Sequence, residues 1–207
     1  MYRSAAFAVD DIALIHEVIR ARVFATLATH YGGSVAFAYA PLVLDVNNGP
    51  RGGVRFHLAA GNPLAEIEEG TCVQLSVIAA DAYVSPDWYK TIVTVPTWNY
   101  IAVEGEGQVR RLSREELRAL LIDLSAQEEE KLRPKEPWTL GKLTDSRVEA
   151  LLNAIVGFSV SFERLDGKFK LSQDKKPQDF AGVMDGLESR GDSASLATAR
   201  AMKALAK

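Results

Sequence analysis

A single cysteine, Cys72, occurs in the 207 residues, so neither an internal disulfide framework nor a cysteine-cluster metal site is available to this chain. It sits in the apolar run Thr71-Cys-Val-Gln-Leu-Ser-Val-Ile78, which predicts a buried strand residue and not a reactive thiol. No apolar stretch reaches the roughly 18 residues of a membrane-spanning helix. The apolar run before Asp10 and Asp11 is too short for a secretory leader. The expected compartment is therefore the cytoplasm, with no membrane partner. An excess of positive charge is missing too: 24 Lys and Arg against 27 Asp and Glu give −3, which argues against coating DNA by charge alone.

Familiar catalytic signatures are also absent. There is no Gly-x-Gly-x-x-Gly after a strand, no Walker-type Gly-Lys-Ser/Thr, no Gly-x-Ser-x-Gly elbow and no His-Glu-x-x-His. Gly105-Glu-Gly107 lacks the third glycine and the following helix. The three histidines are far apart, so no metal site is expected. His16 reads as an ordinary surface or interface residue of a helix, while His30 and His57 read as structural hydrogen-bonding or pocket residues.

What is present is a globular composition, 47% hydrophobic and 25% charged. The length suits one domain over 1–207, with a helical C-terminal extension over about 177–207. Asp10 is placed to cap a first helix striped by Ile12, Ile15, Val18 and Ile19. Residues 23–30, 34–46, 54–60, 71–79, 100–112 and 158–165 read as strands, and Gly167 as the turn after the last. Gly105 and Gly107 mark a bulge or tight bend. Asn62-Pro63 opens a short helix ending at Gly70. Ser113-Arg-Glu-Glu116 and Ser146-Arg-Val-Glu149 are capping boxes for helices over 114–130 and 147–154. Residues 82–94 read as an ordered loop. Some six strands in succession, with helices late and at the ends, predict a mainly β, antiparallel barrel with peripheral helices.

Two tracts stand out as candidate sites. Tyr83, Trp88, Tyr89, Trp98 and Tyr100 crowd into residues 83–100 of a chain that is 8% aromatic. Such a tract either anchors a long loop or stacks on a flat ligand, with Ser85, Thr97 and Asn99 as polar partners. Residues 168–176 hold four lysines and one aspartate, a local charge of +3. On a strand, Lys168 and Lys170 share a side with Ser172 behind them, which suits a phosphate or other anion or else a solvated hairpin.

Read together, Thr26-Leu-Ala-Thr-His30, Arg55-x-His57-Leu-Ala with Asn62-Pro63, Ala82-Tyr-Val-Ser-Pro-x-Trp-Tyr89, Val95-Pro-Thr-Trp-Asn-Tyr100, Pro137-Trp138, Ile155-Val-Gly-Phe158, Gly167-Lys-Phe-Lys-Leu-Ser-Gln173 and Ala181-Gly-Val-x-x-Gly-Leu187 form a pattern. The chain resembles the PaiB-like family, the FMN-binding negative transcriptional regulators, nearly end to end. The resemblance implies an FMN-binding split β-barrel, a homodimer with the flavin at the subunit interface, and repression of genes, including those for sporulation and extracellular proteases, in Bacillus-type bacteria. With the two tracts, it places cofactor binding on Arg55, His57, Ser85, Trp88, Tyr89 and Thr97. Trp98, Asn99, Lys168, Lys170, Ser172 and Gln173 complete that set.

One segment departs from the pattern. Where relatives typically read Arg-Gly-His-Leu-Ala-Arg-x-Asn-Pro, this chain has Phe56 for the glycine and Ala60 for the second arginine. Losing that cation predicts weakened or absent FMN binding unless Arg55, Lys168 or Lys170 takes over the phosphate. No catalytic acid or base is identified; Tyr89, His57 and His30 are the candidates. Two other functions remain open: a flavin-dependent oxidoreductase of the pyridoxamine-phosphate-oxidase type, and a haem-binding split barrel with a histidine axial ligand. Direct DNA binding follows only from the family label, since residues 177–207 carry four acidic and four basic residues and no helix-turn-helix is apparent.

Overall fold

The computed structural model describes residues 1–91 and 93–205. Ile92, within the aromatic tract, and Ala206 and Lys207, at the end of the expected C-terminal helix, lie outside the described residues. In chain order the strands and helices begin with β1 (Ala8–Val9), α1 (Ile12–Ala21), β2 (Phe24–Tyr31), β3 (Ser34–Pro41), β4 (Val43–Asp45) and β5 (Gly53–Ala59). They continue with β6 (Cys72–Val84), β7 (Thr97–Arg111), α2 (Arg114–Glu130), α3 (Asp145–Leu152) and β8 (Ile155–Ser161). The chain then forms β9 (Arg164–Lys170), α4 (Pro177–Arg190) and α5 (Ser193–Leu205). These elements divide between two compact units: Met1–Val18, Val77–Glu104 and Asp166–Lys207 in the first, Ile19–Ser76 and Gly105–Leu165 in the second.

In the second unit the strand order is β3-β2-β6-β7-β8-β5-β4, so the sheet is open, with β3 and β4 at its ends. The β2–β3 hairpin is antiparallel, with Thr26 opposite Tyr39 and Ala28 opposite Phe37. β5 pairs β8 antiparallel with Phe56 opposite Phe158, whose buried rings lie 5.5 Å apart. A second apolar cluster gathers Val43, Leu117, Leu120, Val148 and Leu152. In the first unit β1 pairs β9, β9 also pairs β7, and α4 packs with α5.

Mainly antiparallel β structure with peripheral helices is the observed class, and the Ser113 capping box has both of its hydrogen bonds. Several details correct the sequence reading. Among the described residues nine strands replace six, because residues 34–46 break at Leu42, residues 158–165 span the turn between β8 and β9, and Ala8–Val9 adds β1. Gly167 lies inside β9 opposite Val9, where a Cβ would stand 2.9 Å from Ile15, so close approach and not a turn selects the glycine. Gly105 and Gly107 answer the same need, a Cβ falling 2.6 Å from the Phe162 ring or 2.0 Å from the Ser161 carbonyl. β6 runs on to Val84, absorbing the start of the expected loop.

Helix starts shift as well. Asp11 accepts from the N–H groups of Ala13 and Leu14 and caps α1, the role assigned to Asp10. Thr144 caps α3, not Ser146. The helix expected from Asn62 is a single 3-10 turn, Pro63–Glu66, although Asn62 does cap it. His16 is buried, not at the surface, and Cys72 is exposed, not buried. Along β6 Cys72 shares its parity with solvent-facing Gln74, while Val73 and Leu75 turn inward.

Candidate functional site

The first unit contains a cavity of about 240 Å³ whose walls include Tyr89, Thr97, Asn99, Lys170, Ser172 and Lys175. Period-two alternation along β9 buries Leu165 and Phe169 and leaves Lys168 and Lys170 half-exposed on the opposite side. Lys170 Nζ donates to Thr97 Oγ1 at 2.7 Å and to the Trp98 carbonyl at 2.6 Å, and lies 5.9 Å from the centre of the Phe7 ring. Among the described residues no carboxylate forms an ion pair with it. Burial pushes its ammonium below the ordinary lysine value, with the Asp174 carboxylate opposing the shift.

Directly after β9 the chain places Ser172 at φ 62°, a left-handed conformation costing a non-glycine residue about 1–2 kcal/mol. Contacts in the interior hold it there. Asn99, fully buried, donates from Nδ2 to Ser172 Oγ at 2.9 Å and lies 3.5 Å from Met202 Sδ. Tyr89 is buried beside them. Burial raises its phenol above the usual value, while Lys175 and the Ser172 hydroxyl pull it back.

The segment 85–91, which carries Tyr89 into the cavity wall, is held by α4. Ser85 caps a 3-10 turn, Pro86–Trp88, by accepting from the Asp87 N–H. Trp88 lies over Gly182 and Gly186, where added Cβ atoms would stand 2.1 Å from its carbonyl oxygen and 2.3 Å from its indole. Asp179, buried in the first turn of α4, accepts from the N–H groups of Lys90 at 2.6 Å and Thr91 at 2.8 Å and from the Thr91 hydroxyl at 2.5 Å. The sequence shows only an acidic residue in a first helical turn; its partners, 88 and 89 positions away, leave no local signal.

The Thr91 hydroxyl, joined by the two backbone N–H groups, holds the Asp179 carboxyl below its ordinary value against the effect of burial. A depressed carboxylate stabilises the fold above its unfolded value, about 3.9, and that contribution is lost as pH falls through the lower folded value. Asp179→Asn should therefore lower Tm by several degrees at pH 7, and the gap to the parent should narrow below about pH 4. Thermal melts at both pH values check this; equal Tm at pH 7 contradicts it.

The other expected residues fall outside this cavity. Gln173 closes the end of β9, its amide donating to the Phe169 and Ala6 carbonyls and accepting from the Leu171 N–H. Lys168 lies over the Tyr2 and Tyr100 rings at 5.4 and 5.3 Å. Trp98 is exposed and meets Tyr83 edge-on. Arg55 and His57 belong to the second unit, side by side in period on β5. Arg55 pairs with Asp123 at 2.8 Å, yet among the described residues its buried Nε finds no hydrogen-bond partner. His57 Nδ1 is likewise buried and unpartnered, and burial lowers its pKa, which favours a neutral imidazole. Ala60 is exposed just beyond β5.

Among the described residues no helix is long and apolar enough to cross a membrane, and no cluster of histidine, cysteine and carboxylate side chains suits a metal ion. Residues 1–164 match a family model described as "Putative FMN-binding domain". The protease synthase and sporulation protein PAI 2 of Bacillus subtilis is 30% identical over 191 residues, covering 91% of this chain and 90% of the relative. The flavocytochrome Anf3 from Azotobacter vinelandii superposes with a TM-score of 0.59 at 18% identity, over 87% of this chain and 78% of that one. The FAD and haem binding protein from Mycobacterium smegmatis gives 0.58 at 15% identity, over 84% and 78%. At such identities the structural likeness is one of fold, the antiparallel split β-barrel.

Proposed function

Because this chain belongs to the family of FMN-binding domains, we propose that it binds FMN, with the phosphate end held at Lys170, and that it works as a homodimer. The observation that carries the reading is Lys170 itself. Among the described residues this half-buried ammonium in a cavity wall hydrogen-bonds only to neutral oxygens and forms no ion pair, with Asp174 acting on it only at longer range. It is a cation without a direct counter-ion in a partly desolvated place. An anionic ligand group completes it. Thr97 and Ser172 offer hydroxyls beside it, Lys175 a second ammonium, paired at 2.9 Å with Asp174 of the same wall, and Tyr89 an aromatic wall. This donor set fits a phosphate-bearing cofactor. Lys170 also answers the loss of the arginine replaced by Ala60.

At about 240 Å³ the cavity is smaller than the roughly 300–1,000 Å³ of a complete cofactor pocket. The remaining walls are assigned to a second copy of the chain. The outward face of the β2–β3 hairpin supports such an assembly: Phe24, Phe37 and Tyr39 are 65, 61 and 64% exposed on one side. Large apolar side chains gathered on one sheet face are the mark of an interface.

Bound flavin would supply electron-transfer chemistry, and the protein's own residues hold and orient it. Negative regulation, as in PaiB-type proteins, is proposed to run through flavin occupancy and not through direct reading of DNA, since residues 177–207 carry four acidic and four basic residues. The test is an FMN titration of the purified protein, read by flavin fluorescence and thermal shift, with light scattering for the dimer. Saturable binding with a rise in Tm is expected. No fluorescence change and no Tm shift at saturating FMN would remove flavin binding from the reading.

A further inference from the structure

The second unit carries another cavity, of about 410 Å³, between α2 and the segment that follows it. Arg118, Ile122, Ala126 and Glu130 recur every four residues along α2 and line one wall. Trp138 and Leu140 line the opposite side. That side is fixed in advance: the Trp138 N–H donates to the Glu129 carboxylate at 2.8 Å, the same carboxylate pairs with Lys135, and Leu140 packs on the apolar cluster of α2 and α3. A wall held before a ligand arrives avoids the cost of ordering it on binding.

The electrostatics of this cavity are asymmetric. Arg133 is matched by Glu130 at 2.7 Å. Arg118 is half-buried, and among the described residues its guanidinium forms no hydrogen bond or ion pair. The lining thus offers a mainly apolar surface, an indole and one unmatched planar cation. Guanidinium geometry favours a carboxylate, which it can hold with two parallel hydrogen bonds. A dianion would leave charge uncompensated beside Glu130, and a neutral apolar molecule would leave Arg118 desolvated without a partner.

We propose that this cavity is a binding site for a small aryl carboxylate, its ring against Trp138 and Ile122 and its carboxylate on Arg118. The site belongs to the second unit, shares no lining residue with the Lys170 cavity, and stands whether or not that cavity takes FMN.

Calorimetric titration of the full chain with 2-naphthoate, and with the uncharged 2-naphthamide, tests the proposal. Saturable binding of the acid is expected, at least tenfold tighter than the amide. Arg118→Gln should weaken the acid at least tenfold and leave the amide unchanged. Ile122→Glu, at an exposed helix position, should repel the acid to a similar degree while melting like the parent. Lys170→Ala should bind 2-naphthoate as the parent does. Absence of heat with 2-naphthoate, equal affinity for acid and amide, an unaffected Arg118→Gln, or loss of binding in Lys170→Ala would each overturn the assignment.

Discussion

Lys170→Ala should weaken FMN about ten- to a hundredfold and leave riboflavin, which lacks the phosphate, nearly unaffected. The magnitude follows from removing one charge-assisted contact to phosphate, about 1.5–3 kcal/mol, at about 1.4 kcal/mol per tenfold. Discrimination between the two flavins isolates the role of the ammonium. Loss of general packing would weaken both alike, because both carry the same ring system. The substitution also removes hydrogen bonds to Thr97 and the Trp98 carbonyl, which leaves those oxygens to water at the open side of the cavity. Parallel titrations with FMN and riboflavin decide the matter. Unchanged FMN affinity, or equal losses for both, would take the phosphate away from Lys170.

The largest effect on stability is expected at Gly182. Both Gly182 and Gly186 lie beneath Trp88, but they differ in what a methyl group would meet. At Gly182 the obstacle is the Trp88 backbone carbonyl, 2.1 Å from the new Cβ; at Gly186 it is the indole, 2.3 Å away. An indole can shift through its side-chain torsions. The carbonyl belongs to a segment pinned on one side by the Ser85 cap and on the other by Asp179 at Lys90 and Thr91. Relief at Gly182 therefore means moving α4 or lifting residues 85–91. Gly182→Ala should cost about 3 kcal/mol, with a fall in Tm of roughly 6–12 °C, and Gly186→Ala clearly less. The same displacement carries Tyr89 out of the cavity wall, so FMN affinity should fall in Gly182→Ala along with stability. Chemical denaturation of both variants checks the ranking; a Gly182→Ala protein within about 0.5 kcal/mol of the parent would show that the segment adapts freely.

The elements that the sequence made legible are those whose causes are local. The Ser113 capping box and its helix depend on four adjacent residues. The cap at Asn62 depends on that residue and the proline after it. The exposed side of Cys72 is written in the alternation of Val73, Gln74 and Leu75, whose period outweighs the apolar character of the run. The continuation of β6 to Val84 was harder to see, because the alanines around Asp81 have little strand preference of their own. Pairing with neighbouring strands supplies what the residues lack.

By itself, then, the sequence determined the antiparallel β class, the helical C-terminal region, the family and the two tracts from which the candidate site is drawn. Each is written in periodicity, capping residues or contiguous motifs. Tertiary structure alone decided which residues of those tracts meet. It brought Lys170 to Thr97 and Ser172 to Asn99, 73 positions apart in each case. It assigned Gln173 to closing a strand end, Lys168 to the Tyr2 and Tyr100 rings, and Trp88 to the two glycines of α4. Among the described residues it also left Arg118 without a hydrogen bond or ion pair, in a mainly apolar wall that no motif announces. The reason is physical: a side chain's chemistry is fixed by its type, but its burial and its partners come from chain segments that meet only when the core closes.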